Sequence, residues 1–223
     1  TDISYFQDIP KLSIEYIQTI KEKDEFNFLP TKDSYTRIGQ KINMGYNCYV
    51  LKLYKITNEW DNLSEEHRNK WINYLLNYQD HKNNEYPNYF VDPEVLNYFN
   101  KHFSSFSIKN NFKSILNLLL KKNYELKDAH IFKTINADNK QAISTLSEVG
   151  FDLLKTPEVS FNNFNNIEDY LNSYNWSKPW DAGAQFSSLS LYNETLKLDI
   201  NNRLNKFIET KLDQDTGSYF EGN

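Results

Sequence analysis

The chain has a single cysteine, Cys48. One thiol excludes an intrachain disulfide framework and any metal site built from several cysteines. It fits a reducing compartment, so a cytoplasmic location is expected. Glycine and proline are equally scarce, at 6 each in 223 residues. So few breakers favour helices over a sandwich or barrel of short strands. No apolar run reaches the ~20 residues that span a bilayer, so no membrane span is expected. The N-terminus shows no basic stretch leading into an apolar core, so no signal peptide is visible, although the chain begins with Thr1. The formal charge is −5 and no block of like charges occurs. A nucleic-acid partner would leave a basic stripe, and none is evident; Lys121-Lys122 reads as solvated surface.

What the chain does have is aromatic side chains, 16 Tyr and 15 Phe among them. That content argues for a packed core despite the high polarity. Periodicity then gives the elements. Pro10–Lys23 reads as a helix with Leu12, Ile14, Ile17 and Ile20 near one face. Tyr35–Ile56 reads as one long helix, with Gly39 and Gly45 marking close packing. Trp60–Leu63 reads as a connection, and Ser64 as the N-cap of a helix running to Tyr78. Further helices are expected from Pro93 to His102, from Asn111 to Lys122 (strongly apolar and therefore buried), and from Ala137 to Val149, ended by Gly150. Asn166 caps another, Ala184–Leu196 follows, and Asp199 caps the last, to Lys211. The expectation is an all-α protein of antiparallel helical hairpins forming one domain, residues 1–223.

Two segments repeat one another. Trp71–Asp80, followed by Glu85–Phe90, matches Phe207–Asp215, followed by Thr216–Phe220. Each has an aromatic start, an amphipathic helix, a Gln-Asp pair, a polar turn and a Tyr-Phe pair. A recurring helix-plus-turn unit is the mark of a repeat architecture.

This unit resembles the Gln-Trp repeats of terpenoid cyclases and the repeats of protein prenyltransferase β-subunits. Lys206-Phe207-Ile208, Gln214, Thr216-Gly217 and Tyr219-Phe220 carry the likeness best. The Trp71 unit lacks the glycine, and neither unit has the typical final Trp. Trp60–Gln79, Tyr89–Pro93, Lys140–Leu146 and Trp176–Gln185 are also similar to uncharacterised bacterial toroid-like proteins of that superfamily. The resemblance implies part of an α/α toroid around a central cavity. Such a ring needs more hairpins than this chain holds, which implies a fragment or half-toroid with exposed apolar helix faces. It would then associate with the remainder of the ring or with copies of itself.

Candidate chemistry follows from these motifs. Asp213-Gln214-Asp215 is similar to the Asp-x-Asp-Asp acid of class II terpene cyclases, with Thr216 in place of the final Asp. A carboxyl used this way must be kept protonated by burial or by a neighbouring carboxylate. The same residues also read as a tight turn. No Asp-Asp-x-x-Asp for magnesium and diphosphate occurs. Cys48 reads as a packed thiol, not a zinc ligand. His67, His81, His102 and His130 share no ligand spacing, and no metal or cofactor is expected. In the Trp176–Gln185 turn, Asp181 reads either as a helix N-cap or as a carboxylate facing a cavity. Asp92 before Pro93 has the same two readings. Trp176, Trp180, Gln185 and Tyr89 are the candidate ligand-binding residues.

Three functions stay open. One is an enzyme acting on an isoprenoid-type ligand in an aromatic-lined cavity, where rings stabilise a carbocation. The second is a carbohydrate-binding or carbohydrate-active toroid. The third is a non-catalytic helical scaffold.

Overall fold

A computed structural model describes residues 8–33, 35–79, 86–103, 107–120, 126–155, 157 and 166–219. Among them are ten helices: α1 (Ile9–Ile20), α2 (Met44–Ile56), α3 (Glu59–Asn62), α4 (Glu65–Leu76), α5 (Pro93–Phe103), α6 (Ser107–Leu120), α7 (Lys127–Glu148), α8 (Ile167–Asn172), α9 (Pro179–Leu196) and α10 (Asn201–Glu209). The protein is all-α, with no strand among the described residues. The chain forms two compact units, Thr1–Asp80 with Phe90–Asp152, and His81–Tyr89 with Leu153–Asn223.

In the first unit α2 is the central element, packed against α1, α3, α4 and α7. Met44, Cys48 and Leu51 lie on its fully buried face. The facing stripe of α7 is Ile135, Asn139, Ala142, Ile143 and Leu146, which is helical spacing for one inward face. Trp71 on α4 anchors an aromatic cluster, with Phe26, Phe28, Tyr54, Trp60 and His67 around it at 5.1–6.0 Å between ring centroids. Its Nε1 donates to Asn47 Oδ1, and Asn47 Nδ2 donates to the Phe26 carbonyl. The buried polar atoms of α2 and α4 thereby satisfy one another.

In the second unit Ile167, Leu171, Tyr174, Trp176, Ala182, Leu189, Leu204 and Phe207 form the core between α8, α9 and α10. Trp176 Nε1 donates to the Leu171 carbonyl at 2.8 Å.

One backbone feature recurs in three copies among the described residues. Isolated antiparallel bridges join Lys21 to Phe28 after α1, Gln79 to Phe90 after α4, and Leu212 to Tyr219 after α10. Matching hydrogen bonds surround them. Leu29 N donates to Ile20 O at 2.9 Å and Val91 N to Tyr78 O at 2.8 Å. On the other side of the bridge, Glu22 N donates to Asn27 O at 2.8 Å and Asp213 N to Ser218 O at 2.7 Å. Each bridge ties the chain just past a helix end to the segment that follows, and after α1 it also satisfies the Ile20 carbonyl that the helix leaves open.

Several expected boundaries move. The helix expected over Tyr35–Ile56 begins only at Met44, and residues 37–41 form a turn. A Cβ placed on Gly45 would meet no atom within 4 Å, so close packing does not explain that glycine; on Gly39 it would meet Thr36 Oγ1 at 3.0 Å. The Trp60–Leu63 connection contains the short helix α3. The Ala137–Val149 helix starts ten residues earlier, at Lys127. Gly150 does end it, at φ 76°, with Phe151 N donating to Leu146 O. Ser64 and Asn166 cap α4 and α8 through the amides of His67 and Asp169. Asp199 does not cap α10: Ile200 is the N-cap residue, and Asn193 Oδ1 accepts from its amide at 3.0 Å. The largest correction concerns α6. The helix is present, but Phe112, Ile115, Leu118, Leu119 and Leu120 are exposed, not buried.

Candidate functional site

The most concentrated set of perturbed groups lies in the first unit, where α2, α4, α5 and α7 meet. Its fixed point is Asp92, which is buried. Pro93 opens α5, and Asp92 precedes it as the cap: Oδ1 accepts from Glu94 N at 3.0 Å. The second oxygen works on another helix. Oδ2 accepts from Asn43 N at 2.9 Å and from Met44 N at 3.2 Å, at the start of α2. Asn43 offers α2 no side-chain cap of its own. One carboxylate therefore holds the positive ends of two helices together. Of the two readings of Asp92, the cap is the one the geometry carries.

Next to it, Asn139 of α7 donates from Nδ2 to Phe90 O and accepts at Oδ1 from Phe90 N, both at 2.8 Å. This ladder fixes the chain just before Asp92 against α7. Asp138, half-buried, follows the same helix face as Ala142 and Thr145. Burial pushes its carboxyl up to about 7, and the negative charge of Asp92 adds to the shift. Cys48 lies across from it on α2, and burial pushes its thiol up to about 12. Such a thiol stays protonated and unreactive. Tyr74 and Tyr78 share a hydroxyl–hydroxyl contact of 3.0 Å, and burial raises both. Lys52 reaches Ser144 Oγ at 2.8 Å and Glu148 at 3.1 Å. One turn beyond Asp138, Gln141 Nε2 is buried with no hydrogen-bond partner among the described residues.

Chemically, Asp138 is a carboxyl able to hold or release a proton near neutral pH. This is the state the Asp-x-Asp reading required, produced by burial and a neighbouring carboxylate. It arises at a residue outside every motif. The available signal was positional: Asp138 lies one residue before Asn139, on a helix whose inward stripe is strict.

Apart from Asp92, the catalytic and binding candidates singled out from sequence lie in the second unit, and the structure disperses their roles. Asp213 Oδ1 accepts from Asp215 N at 3.0 Å and Thr216 N at 2.9 Å. Those amides hold its carboxyl below the usual range, so it is an ionised turn residue. Asp215 is exposed beside it. Asp181 is not an N-cap, because α9 begins at Pro179 with Lys178 before it; it sits inside the first turn, where a carboxylate still favours the dipole. Gln185 Nε2 donates to the Asp181 carbonyl at 3.4 Å. Trp176 is buried among Tyr174, Phe186 and Phe207, with Lys211 Nζ 5.5 Å from its ring centroid. Tyr89 is buried edge-on to Tyr86 and Tyr192. Of the four binding candidates Trp180 alone is largely exposed, at 89%.

No group of three or more His, Cys, Asp or Glu placed to hold a metal occurs among the described residues. His67 Nδ1 lies 3.1 Å from Glu25, and His130 is edge-on to Phe99. His81, Asp80 and Phe220 lie outside the described residues. No family model, curated protein or solved structure matches the chain.

Proposed function

We propose that the chain works as a helical interaction module and engages its partner through the outward face of α6. One observation carries the reading: α6 is turned inside out. Asn110, Lys113, Leu116 and Asn117 are half-buried, whereas Phe112, Ile115, Leu118, Leu119 and Leu120 are exposed. Leu118 is 81% exposed and Leu119 70%. A contiguous apolar face of this kind marks a surface that another surface covers. The second unit supports the same reading, because Trp176 and Tyr89 are spent on packing and Asp213 on a turn.

The test is binding of the dye anilinonaphthalene sulfonate to the full chain and to a Leu118→Asn/Leu119→Asn variant. Both positions are exposed, so folding is expected to survive. The reading expects dye binding by the native chain and its loss in the variant. Equal dye binding by the two overturns it.

A second reading is the isoprenoid enzyme on a part-toroid, and Asp138 favours it. A carboxyl protonated near neutral pH is what alkene protonation needs. Incubation with isoprenoid diphosphates and squalene-type substrates is expected to give a product that Asp138→Asn abolishes. No product across that panel sinks this second reading.

A further inference from the structure

The sequence around α6 has a charge pattern opposite to that of the chain. Between Glu94 and Glu125 there is no acidic residue, while Lys101, Lys109, Lys113, Lys121 and Lys122 all fall there. The whole chain carries −5. The outward apolar face of α6 therefore sits within a local basic stretch of an acidic protein. At 1.5 Å per residue its 14 residues extend about 21 Å. Among the described residues no helix is long and apolar enough to cross a membrane. Such a helix can still lie flat in the headgroup region with its exposed Phe, Ile and Leu inserted, and the lysine-rich sequence around it favours an anionic surface.

Two features favour lipid over a protein partner. The exposed set spreads widely around the helix, since Phe112, Ile115 and Leu119 follow one line and Leu118 and Leu120 flank it. A bilayer accepts a broad apolar face without shape complementarity. Attachment by apolar insertion alone or by charge alone is marginal, and the two together are effective. The acidic remainder is repelled by an anionic surface, so the field orients this one basic segment toward it.

We propose that α6 is an interfacial helix that docks the protein on an anionic lipid surface. This rests on α6 being the interaction face and names what covers it. Full-length protein is to be sedimented with phosphatidylcholine vesicles, with and without phosphatidylserine. Binding is expected to be at least about tenfold stronger to the anionic vesicles and to weaken with salt. Leu118→Asn/Leu119→Asn is expected to lower binding at least about tenfold with an unchanged thermal melt. A Leu118→Cys chain labelled with an environment-sensitive dye gives an independent readout, because Cys48 is buried; its emission shifts to the blue on anionic vesicles. Equal binding to both vesicle types, undiminished binding by the variant, or an unshifted label overturns the proposal. A native chain that stays off vesicles and self-associates, while the variant is monomeric, also overturns it, in favour of a second copy as occupant. Dye binding lost in the double variant, with no vesicle binding by the native chain, leaves the interaction face standing and removes only the lipid.

Discussion

Replacing Asp92 with Ala is expected to destabilise the first unit more than most single changes. The carboxylate accepts from Asn43 N, Met44 N and Glu94 N, at 2.9, 3.2 and 3.0 Å. Loss of a helix cap costs about 1 kcal/mol, and two helices lose one. Met44 is buried, so its amide also loses access to water, for about 1–3 kcal/mol. Asn43 and Glu94 are half-buried and recover part of the loss from solvent. The sum is about 3–5 kcal/mol, a large share of the ~5–15 kcal/mol of a typical domain. Removing Asp92 also relieves its repulsion of Asp138, which would mask part of the loss at high pH. Urea unfolding near pH 6, where the folded-state Asp138 is mostly protonated, isolates the capping loss. Asp92→Asn keeps one acceptor and serves one helix only, so its loss is expected to be intermediate. A change below about 1 kcal/mol for Asp92→Ala would refute the double cap.

Two further outcomes follow from the same geometry. Asp138 has a folded-state value near 7, above the ordinary ~3.9 of the unfolded chain, so the folded state binds the extra proton between those values. Stability is therefore expected to fall as pH rises from about 4 to 7, by at most about 1.4 kcal/mol per pH unit, and then to level off. Asp138→Asn flattens that slope and stabilises the protein at pH 8; an unchanged slope in urea titrations across pH rules the assignment out. Asp213 is expected to titrate below about 3.9 in carboxyl carbon NMR, because two amides bind its ionised form. A value above that restores the case for an acid at Asp213.

The helical class is legible because it rests on breaker content and periodicity, which are local. Caps such as Ser64 and Asn166 are legible for the same reason: a side chain three residues from its amide needs no tertiary information. Asp92 is only half legible. Its bond to Glu94 is local, but its bonds to Asn43 and Met44 cross 49 and 48 positions of sequence. The exposure of α6 is not legible, because amphipathicity fixes which residues share a face and not which way that face turns. Asp138 is hidden because its proton affinity comes from what α2 and Asp92 bring to it, and no motif records that.

The repeat shows how side-chain matching and backbone equivalence part company. Matching the Gln-Asp pairs sets Gln79 beside Gln214. The bridges set Gln79 beside Leu212 instead, since each lies three residues past its helix end, Leu76 and Glu209. On that register Trp71 corresponds to Leu204, and both are buried. Gln79 is buried while Gln214 is exposed, so the two glutamines have no common task. The third copy, Lys21 with Phe28, contains no glutamine at the bridge at all. What recurs is a backbone bridge after a helix end, and backbone groups are the same for every residue. Four residues before the bridge, Ile17 and Leu75 are buried and Ile208 is half-buried, so each copy packs an aliphatic side chain there. The Asp-x-Asp at Asp213 and Asp215 lies in one of these turns, and its likeness to a catalytic acid follows from the residues that suit a tight turn.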